Sequence, residues 1–204
     1  IWHQEIEDIM VLKNNKGTED NRVRKLDYSI QISKLFYERF IKDEDITLFS
    51  PHEVPGLYEA FGMPEFDEMY EMYERKTSIS KKKIRAQELF MDLLKERAET
   101  GRIYIMNIDH CNTHSSFKDK VYMSNLCQEI TLPTTPVQHI DDENGEIALC
   151  ILSAVNLGLI RDKEDLEELC DLSVRALDEI IDYQEYPILA AKQSAQSRRS
   201  LGIG

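Results

Sequence analysis

Long apolar runs are missing from this chain, and none approaches the roughly 18 residues that suggest a membrane-spanning helix. Basic charge is scarce: 25 Lys and Arg stand against 38 Asp and Glu, for a net charge of −13. That balance argues against a protein that chiefly grips nucleic-acid backbones, which requires a basic surface. The four cysteines are too few for the disulfide framework of a secreted scaffold. They suit a reducing cytoplasm, where a thiol is either buried and inert or chemically employed. The N-terminal "IWHQEIEDIM" is acidic and broken by polar residues, unlike a signal or transit peptide. The phosphate loops G-x-x-x-x-G-K-[ST] and G-x-G-x-x-G are absent, and the terminal "LGIG" is too slight to count as one. G-x-S-x-G is absent too, which leaves a serine hydrolase without support.

What remains is an ordinary globular composition, 42% hydrophobic and 31% charged, in 204 residues. That length allows one substantial core or two small ones. The apolar positions Ile32, Leu35, Phe36 and Phe40 follow helical spacing within "NRVRKLDYSIQISKLFYERFIKDEDI". "LFSPHEVPGLYEAFG", with two prolines and two glycines, predicts a loop with at most a short helical turn, and "PEFDEMYEMYERK" an acidic helix starting near Pro64. In "SISKKKIRAQELFMDLLKERAETG" Ser80 is the expected N-cap, and Ile84, Leu89, Phe90, Leu93 and Leu94 form a stripe ending before Gly101. "RIYIMNID" and "CQEITLP" predict strands.

The continuous apolar run from Ile147 to Val155 suits a strand buried on both faces. "DKEDLEELCDLSVRALDEIIDYQ" predicts a helix capped by Asp162, with Leu166, Leu169, Val174, Leu177 and Ile181 inward and Cys170 a small core residue beside them. Arg198 and Arg199 are expected as surface or partner contacts. The alternation of helices and strands predicts an α/β architecture with mainly parallel strands, and no clean domain boundary or internal repeat stands out. The start at Ile1 and the stop at "RRSLGIG" suggest an interior piece of a longer protein.

Chemistry concentrates in "YMSNLCQEITLP", residues 122 to 133. Asn125, Cys127 and Glu129 sit at alternate positions, so an extended backbone would put them on one face at intervals of about 6–7 Å. A looped backbone would bring them closer. An amide, a thiol and a carboxylate that converge can orient a small molecule, attack it and move its protons. A strand whose polar face meets solvent would give the same pattern. "DHCNTH" offers Cys111 and His114 at a metal-compatible spacing, with His110 and Cys127 as possible recruits, but no C-x-x-C pair supports a zinc site. A polar loop explains that stretch equally. Cys150 lies in the apolar run, where cysteine is usually packing.

Taken together, "LKNNKGTEDNRVRKLDY", "DITLFSPHEVPGLYEAF", "ERAETGRIYIMNIDHCNTHS", "SNLCQEI", "DENGEIALCILSAVNLG" and "RRSLGIG" resemble the large (alpha) subunit of class I ribonucleotide reductase, in its enteric-bacterial and T-even-like phage form. The resemblance covers essentially all of the chain. It implies that residues 1–204 are a partial catalytic barrel domain: part of a ten-stranded α/β barrel carrying the central finger loop. It implies that Cys127 becomes a transient thiyl radical, that Glu129 accepts a proton from the 3′-hydroxyl, and that Asn125 hydrogen-bonds the substrate. Asn125, Leu126, Cys127, Gln128 and Glu129 would line a ribonucleoside diphosphate. Cys150 matches one cysteine of a redox pair whose partner is absent here. Gln128 stands where relatives often carry Leu or Thr.

The family also implies a radical-generating small (beta) subunit with a metal–tyrosyl radical, nucleotide effectors, an alpha-subunit dimer and a thioredoxin- or glutaredoxin-type reductant. No cofactor or metal is expected on this chain itself, and neither nucleic acid nor membrane is an expected partner. Two other readings stay open: a non-catalytic chain acting only by assembly with complementary pieces, and a small metal-binding module.

Overall fold

The structure, a computed structural model, describes all residues except Asn15, Gly17 and Arg24, together with the side chain of Asn21. In chain order come α1 (Ile6–Met10), β1 (Tyr28–Ile32), α2 (Lys34–Lys42), β2 (Asp45–Phe49), α3 (Leu57–Ala60), α4 (Phe66–Arg75), β3 (Lys81–Arg85), α5 (Ala86–Thr100), β4 (Ile103–Asn107) and α6 (Ile108–Thr113). Then follow β5 (Met123–Ser124), β6 (Thr131–Leu132), β7 (Ile151–Ser153), α7 (Lys163–Tyr183), α8 (Leu189–Arg198) and β8 (Leu201–Ile203). Contacts divide these elements into two compact units, Ile1–Ser116 and Phe117–Gly204, at a boundary the sequence did not announce.

In the first unit, the helix expected from Asn21 onward crosses Arg24, which lies outside the described residues, and from Tyr28 the chain is a strand. Ile30 and Ile32 alternate into the core of β1, and Ser33 ends the strand by capping α2, its hydroxyl accepting from the Phe36 N–H at 3.4 Å. Ile32 therefore mimicked a helical stripe because a strand runs directly into a helix. "LFSPHEVPGLYEAFG" gives the end of β2, a 3-10 turn at Pro51–Glu53 and the single turn α3.

The expected helix from Ser80 is corrected: Ser80 caps nothing, and α5 starts only at Ala86. Lys81–Arg85 instead pairs antiparallel with β2, setting Ile84 opposite Ile46. Backbone pairing with a buried strand overrides the weak helix preference of lysines. From there α5 buries Leu89 and Leu93 and stops at Gly101, whose φ of 64° suits a residue without a side chain. β4 forms as its alternation predicts and pairs parallel with β1, Tyr28 opposite Ile103 and Ile32 opposite Asn107.

A polar lock ties α2, β2 and α4 together inside this unit. Arg39 donates two bonds to the Glu74 carboxylate, both 2.7 Å, and a third to the Asp45 carbonyl at 3.0 Å. The Tyr70 hydroxyl accepts from the Thr47 N–H at 2.6 Å and donates to the Thr47 carbonyl at 2.7 Å, while the Thr47 hydroxyl donates to Glu74. Every polar group drawn inward here has a partner, the condition for burying charge at tolerable cost.

The second unit holds the short antiparallel hairpin β5–β6 and the parallel pair β7–β8. The run from Ile147 to Val155 is not a strand buried on both faces: only Ile151–Ser153 is strand, and Leu152 is 55% exposed. Likewise "CQEITLP" contributes only Thr131–Leu132. Asp162 caps α7 as expected, accepting from the Asp165 N–H at 2.9 Å. Burial on α7 reaches only Leu177 and Ile181, in its last two turns. Cys170, two turns before Leu177 on the same stripe, is therefore exposed rather than core.

Arg198 and Arg199, both half-buried, form ion pairs within this unit. Arg198 grips Glu146 through Nε and Nη2, at 3.1 and 3.0 Å, and reaches Asp119 at 3.2 Å. Arg199 holds Asp178 at 2.6 Å and Asp182 at 3.0 Å, both on α7. Its φ of 45° ends α8 and sends the chain into β8. "LGIG" thus belongs to a strand, and Gly202 is its tight point. A Cβ on Gly202 would run into Leu152 of β7 and come within 3.3 Å of Ile130, just before β6. Among the described residues the ladders are four pairs, two parallel and two antiparallel, so parallel pairing does not predominate; α and β are mixed and no barrel closes.

Candidate active site

The candidate site is built on the six residues that join β5 to β6. Asn125 is its anchor, 8% exposed. Its backbone N–H donates to the Ile130 carbonyl at 3.2 Å and its side-chain oxygen accepts from the Ile130 N–H at 3.1 Å, which closes the loop. Its carbonyl accepts from the Gln128 N–H at 3.2 Å, making a turn with Leu126 and Cys127 at its centre. The backbone is looped, not extended, so strict alternation on one face does not hold.

The loop sorts the side chains instead. Asn125 donates its amide to the Glu129 carboxylate and to the Cys150 sulfur, the latter at 3.2 Å. The Cys150 thiol donates to the same Glu129 oxygen at 3.3 Å. Leu126 and Cys127 remain exposed at the tip, and Gln128 is half-buried. Asn125, Glu129 and Cys150 therefore form one hydrogen-bonded cluster, with Cys127 on the turn between the first two. That Cys150 would join Asn125 and Glu129 had no signal in residue spacing, because a separate strand brings it there.

The cluster sets two protonation states. The Cys150 thiol is pushed up to about 11, first by burial, then by its hydrogen bond to Glu129 and that carboxylate's charge, with a smaller contribution from Cys127. Glu129 is held below the usual carboxylate range, chiefly by its own backbone N–H and further by Cys150 and Asn125. At neutral pH the site thus offers an ionised carboxylate, able only to accept, beside a protonated thiol able to give up hydrogen.

The other candidate gathers less. Cys111, His110 and His114 lie on or next to α6, where His114 Nδ1 sits 3.2 Å from the His110 carbonyl and burial raises the Cys111 thiol. Among the described residues no three His, Cys, Asp or Glu side chains gather as metal ligands. Nor is any described helix long and apolar enough to cross a membrane.

Comparison with known proteins decides what this loop belongs to. The family model described as "Ribonucleotide reductase, barrel domain" matches residues 1–204. The chain belongs to this family. It is 60% identical over 209 aligned residues to the ribonucleoside-diphosphate reductase subunit alpha of Buchnera aphidicola subsp. Schizaphis graminum, covering 100% of this chain and 27% of that one. Its identity to the ribonucleoside-diphosphate reductase 1 subunit alpha of Escherichia coli K12 is 58%, covering 100% and 28%. For the corresponding subunit of Enterobacteria phage T4 it is 46%, again covering 100% and 28%. The enteric and phage likeness expected from the motifs is thus met, and the chain spans little more than a quarter of the length of these relatives.

Proposed function

We propose that this chain carries the thiol centre of a ribonucleoside-diphosphate reductase alpha subunit, which converts ribonucleoside diphosphates to 2′-deoxyribonucleoside diphosphates for DNA synthesis in the cytoplasm. The observation that carries this reading is the Asn125–Glu129–Cys150 cluster on a loop that presents Cys127 at its tip. In this reading Cys127, as a thiyl radical, takes the 3′ hydrogen atom from the ribose and later returns one. Glu129, already ionised, accepts the 3′-hydroxyl proton. Asn125 holds both the substrate and Glu129. The backbone from Asn125 to Glu129 lines the nucleotide.

Cys150 fits the reducing step because its hydrogen is retained at neutral pH. It and a second thiol, outside these 204 residues, together give two electrons and two protons and become a disulfide. The ribose C2′–OH bond becomes C2′–H, and the oxygen leaves as water. A separate small subunit with a metal–tyrosyl radical supplies the oxidising equivalent, which an exposed Cys127 is placed to receive. A thioredoxin- or glutaredoxin-type protein resets the disulfide, nucleotide effectors tune the enzyme, and the alpha subunit dimerises. The four strand pairs belong, on this reading, to a ten-stranded barrel completed by the remainder of the subunit. The share of its relatives that the chain spans favours action only in assembly with that remainder.

The test is Cys127→Ser in the complete subunit. Reduction is expected to vanish while nucleotide affinity, read by calorimetry, stays nearly unchanged; substantial turnover by the variant would sink the assignment.

A further inference from the structure

Three stretches of chain must keep their places for Asn125, Glu129 and Cys150 to meet: the one entering the loop at β5, the one leaving it at β6, and the one bringing Cys150 to β7. Strand pairing does little of this. The β5–β6 ladder is two residues long, and β7 pairs with β8. Among the described residues neither ladder joins the strand after Cys150 to the loop.

Arg198 makes that join through side chains. Its Nε and Nη2 donate to the Glu146 carboxylate at 3.1 and 3.0 Å, and its Nη1 donates to Asp119 at 3.2 Å. Asp119 lies four residues before β5, and Glu146 four residues before Cys150. Glu146 is fastened to the third stretch as well. Its backbone N–H donates to the Thr135 carbonyl at 2.9 Å, and its carboxylate accepts from the Thr135 hydroxyl at 3.0 Å, three residues after β6. Behind Arg198, the Ser200 carbonyl accepts from the Ile151 N–H at 3.3 Å, next to Cys150. One planar guanidinium fork thus gathers the entry, the exit and the Cys150 stretch. Other cations of this unit act differently: Arg161, Lys163 and Arg175 pair four residues along the chain, and Arg199 joins α8 to α7. The Arg198 and Glu146 side chains are only 18% and 20% exposed, so solvent screens them less than it does Arg175 and Asp171, at 71% and 62%.

We propose that Arg198 is a positioning residue of the thiol site, which through Glu146 and Asp119 fixes the Cys150 strand against the loop that carries Cys127 and Glu129. This rests on the reductase reading for what the thiols and the carboxylate do, and on the ion-pair geometry alone for how they are held. Arg198 acts through the two carboxylates and touches no reacting atom.

The test uses Arg198→Ala and Glu146→Gln in the complete subunit, with Arg175→Ala to break an exposed pair on α7. Each is read by steady-state reduction, by site-resolved alkylation of Cys150 with iodoacetamide across pH, and by urea unfolding. In Arg198→Ala the Cys150 stretch slips from Glu129 and from its burial. The alkylation profile should therefore move down from about 11 towards the ordinary 9, by about one pH unit or more. Its kcat should fall by about 10-fold with KM nearly unchanged, because placement at the reacting centre is lost while the loop stays closed by its own bonds. Glu146→Gln keeps the shape without the charge, and should move both readings the same way by less. Arg175→Ala should match the parent.

A folded Arg198→Ala subunit with the parent's Cys150 profile and kcat would overturn the proposal even if its urea midpoint falls, since the pairs would then serve stability alone. Arg175→Ala shifting as far as Arg198→Ala would overturn it too, by making the profile a general response to lost ion pairs. If circular dichroism shows Arg198→Ala unfolded, Glu146→Gln decides: a lowered Cys150 profile supports the proposal and an unmoved one overturns it. Alkylation needs no turnover, so a subunit that shows the shift but never reduces nucleotides would sink the reductase reading and leave the positioning role standing.

Discussion

Cys150 and Cys127 are both free thiols near one loop, yet their surroundings differ. Cys127 is exposed, and Cys150 is kept protonated by burial and Glu129. Near pH 8 iodoacetamide should label Cys127 well before Cys150, whose labelling should rise only towards pH 11. Glu129→Gln removes a negative acceptor that penalises the thiolate, so the Cys150 value should fall. It should stay above the ordinary 9, because burial is the larger cause and remains. Peptide mapping after alkylation checks both, and an unmoved Cys150 profile would break the link to Glu129. At this scale the alternation of Asn125, Cys127 and Glu129 was legible in the sequence. The convergence of Asn125 and Glu129 on Cys150 was not, because the contact between Asn125 and Cys150 crosses 25 residues and depends on where β7 is laid.

Elements announced by a period and a stop were the readable ones. The Leu89–Leu93 stripe of α5 with its stop at Gly101, the strand β4 and the Asp162 cap of α7 each carry a local signal that the structure bears out, by burial in α5, by pairing with β1 in β4 and by the Asp165 N–H bond at the cap. Lys81–Arg85 carries no such signal, since its strand state comes from pairing with β2 and from Lys81 reaching the carbonyls at the end of α4. The Arg39–Glu74 lock was equally silent. Removing one partner leaves the other charge inside with Thr47 and Tyr70, so Glu74→Ala should cost about 3 kcal/mol in urea unfolding. Burial would raise the Glu74 carboxyl, but bonds from Arg39 and Thr47 more than offset it and hold it below its usual 4.5. Its contribution is therefore present above pH 4.5 and drains away as pH falls through the lowered value. In Glu74→Ala that part of the acid sensitivity should disappear from a pH series of melting temperatures. Arg199→Ala is expected to be milder than Glu74→Ala in the same urea series, because its partners Asp178 and Asp182 are exposed.

The molecule as a whole matches its relatives from end to end while spanning 27 to 28% of their length. On the proposed reading, the purified chain alone should show no nucleotide reduction, and adding the remainder of the subunit should restore it; turnover by the chain alone would contradict this. The mixture of helices and strands was legible from alternating elements, but mainly parallel pairing was not met, and the division at Ser116 and Phe117 was not legible, because no change in composition marks it. The late elements α8 and β8 were hidden for a related reason. Small residues such as Ala190, Ala191, Ser194 and Ala195 are buried without the bulky stripe that a helical pattern is read from.

Gly202 gives this arrangement a reach beyond the thiols themselves. Leu152 of β7 lies against it, and Ile130, at the foot of the loop that carries Cys127, stands 3.3 Å from where a Cβ would be, so a side chain there must turn the exposed Leu152 aside and crowd the base of that loop. On the proposed reading, a change at Gly202 that lowers activity would be scored in a survey of alleles as a defect in chemistry, although the residue is none of the proposed reacting groups. Genetic maps of function would in this way draw the active centre wider than the substrate does.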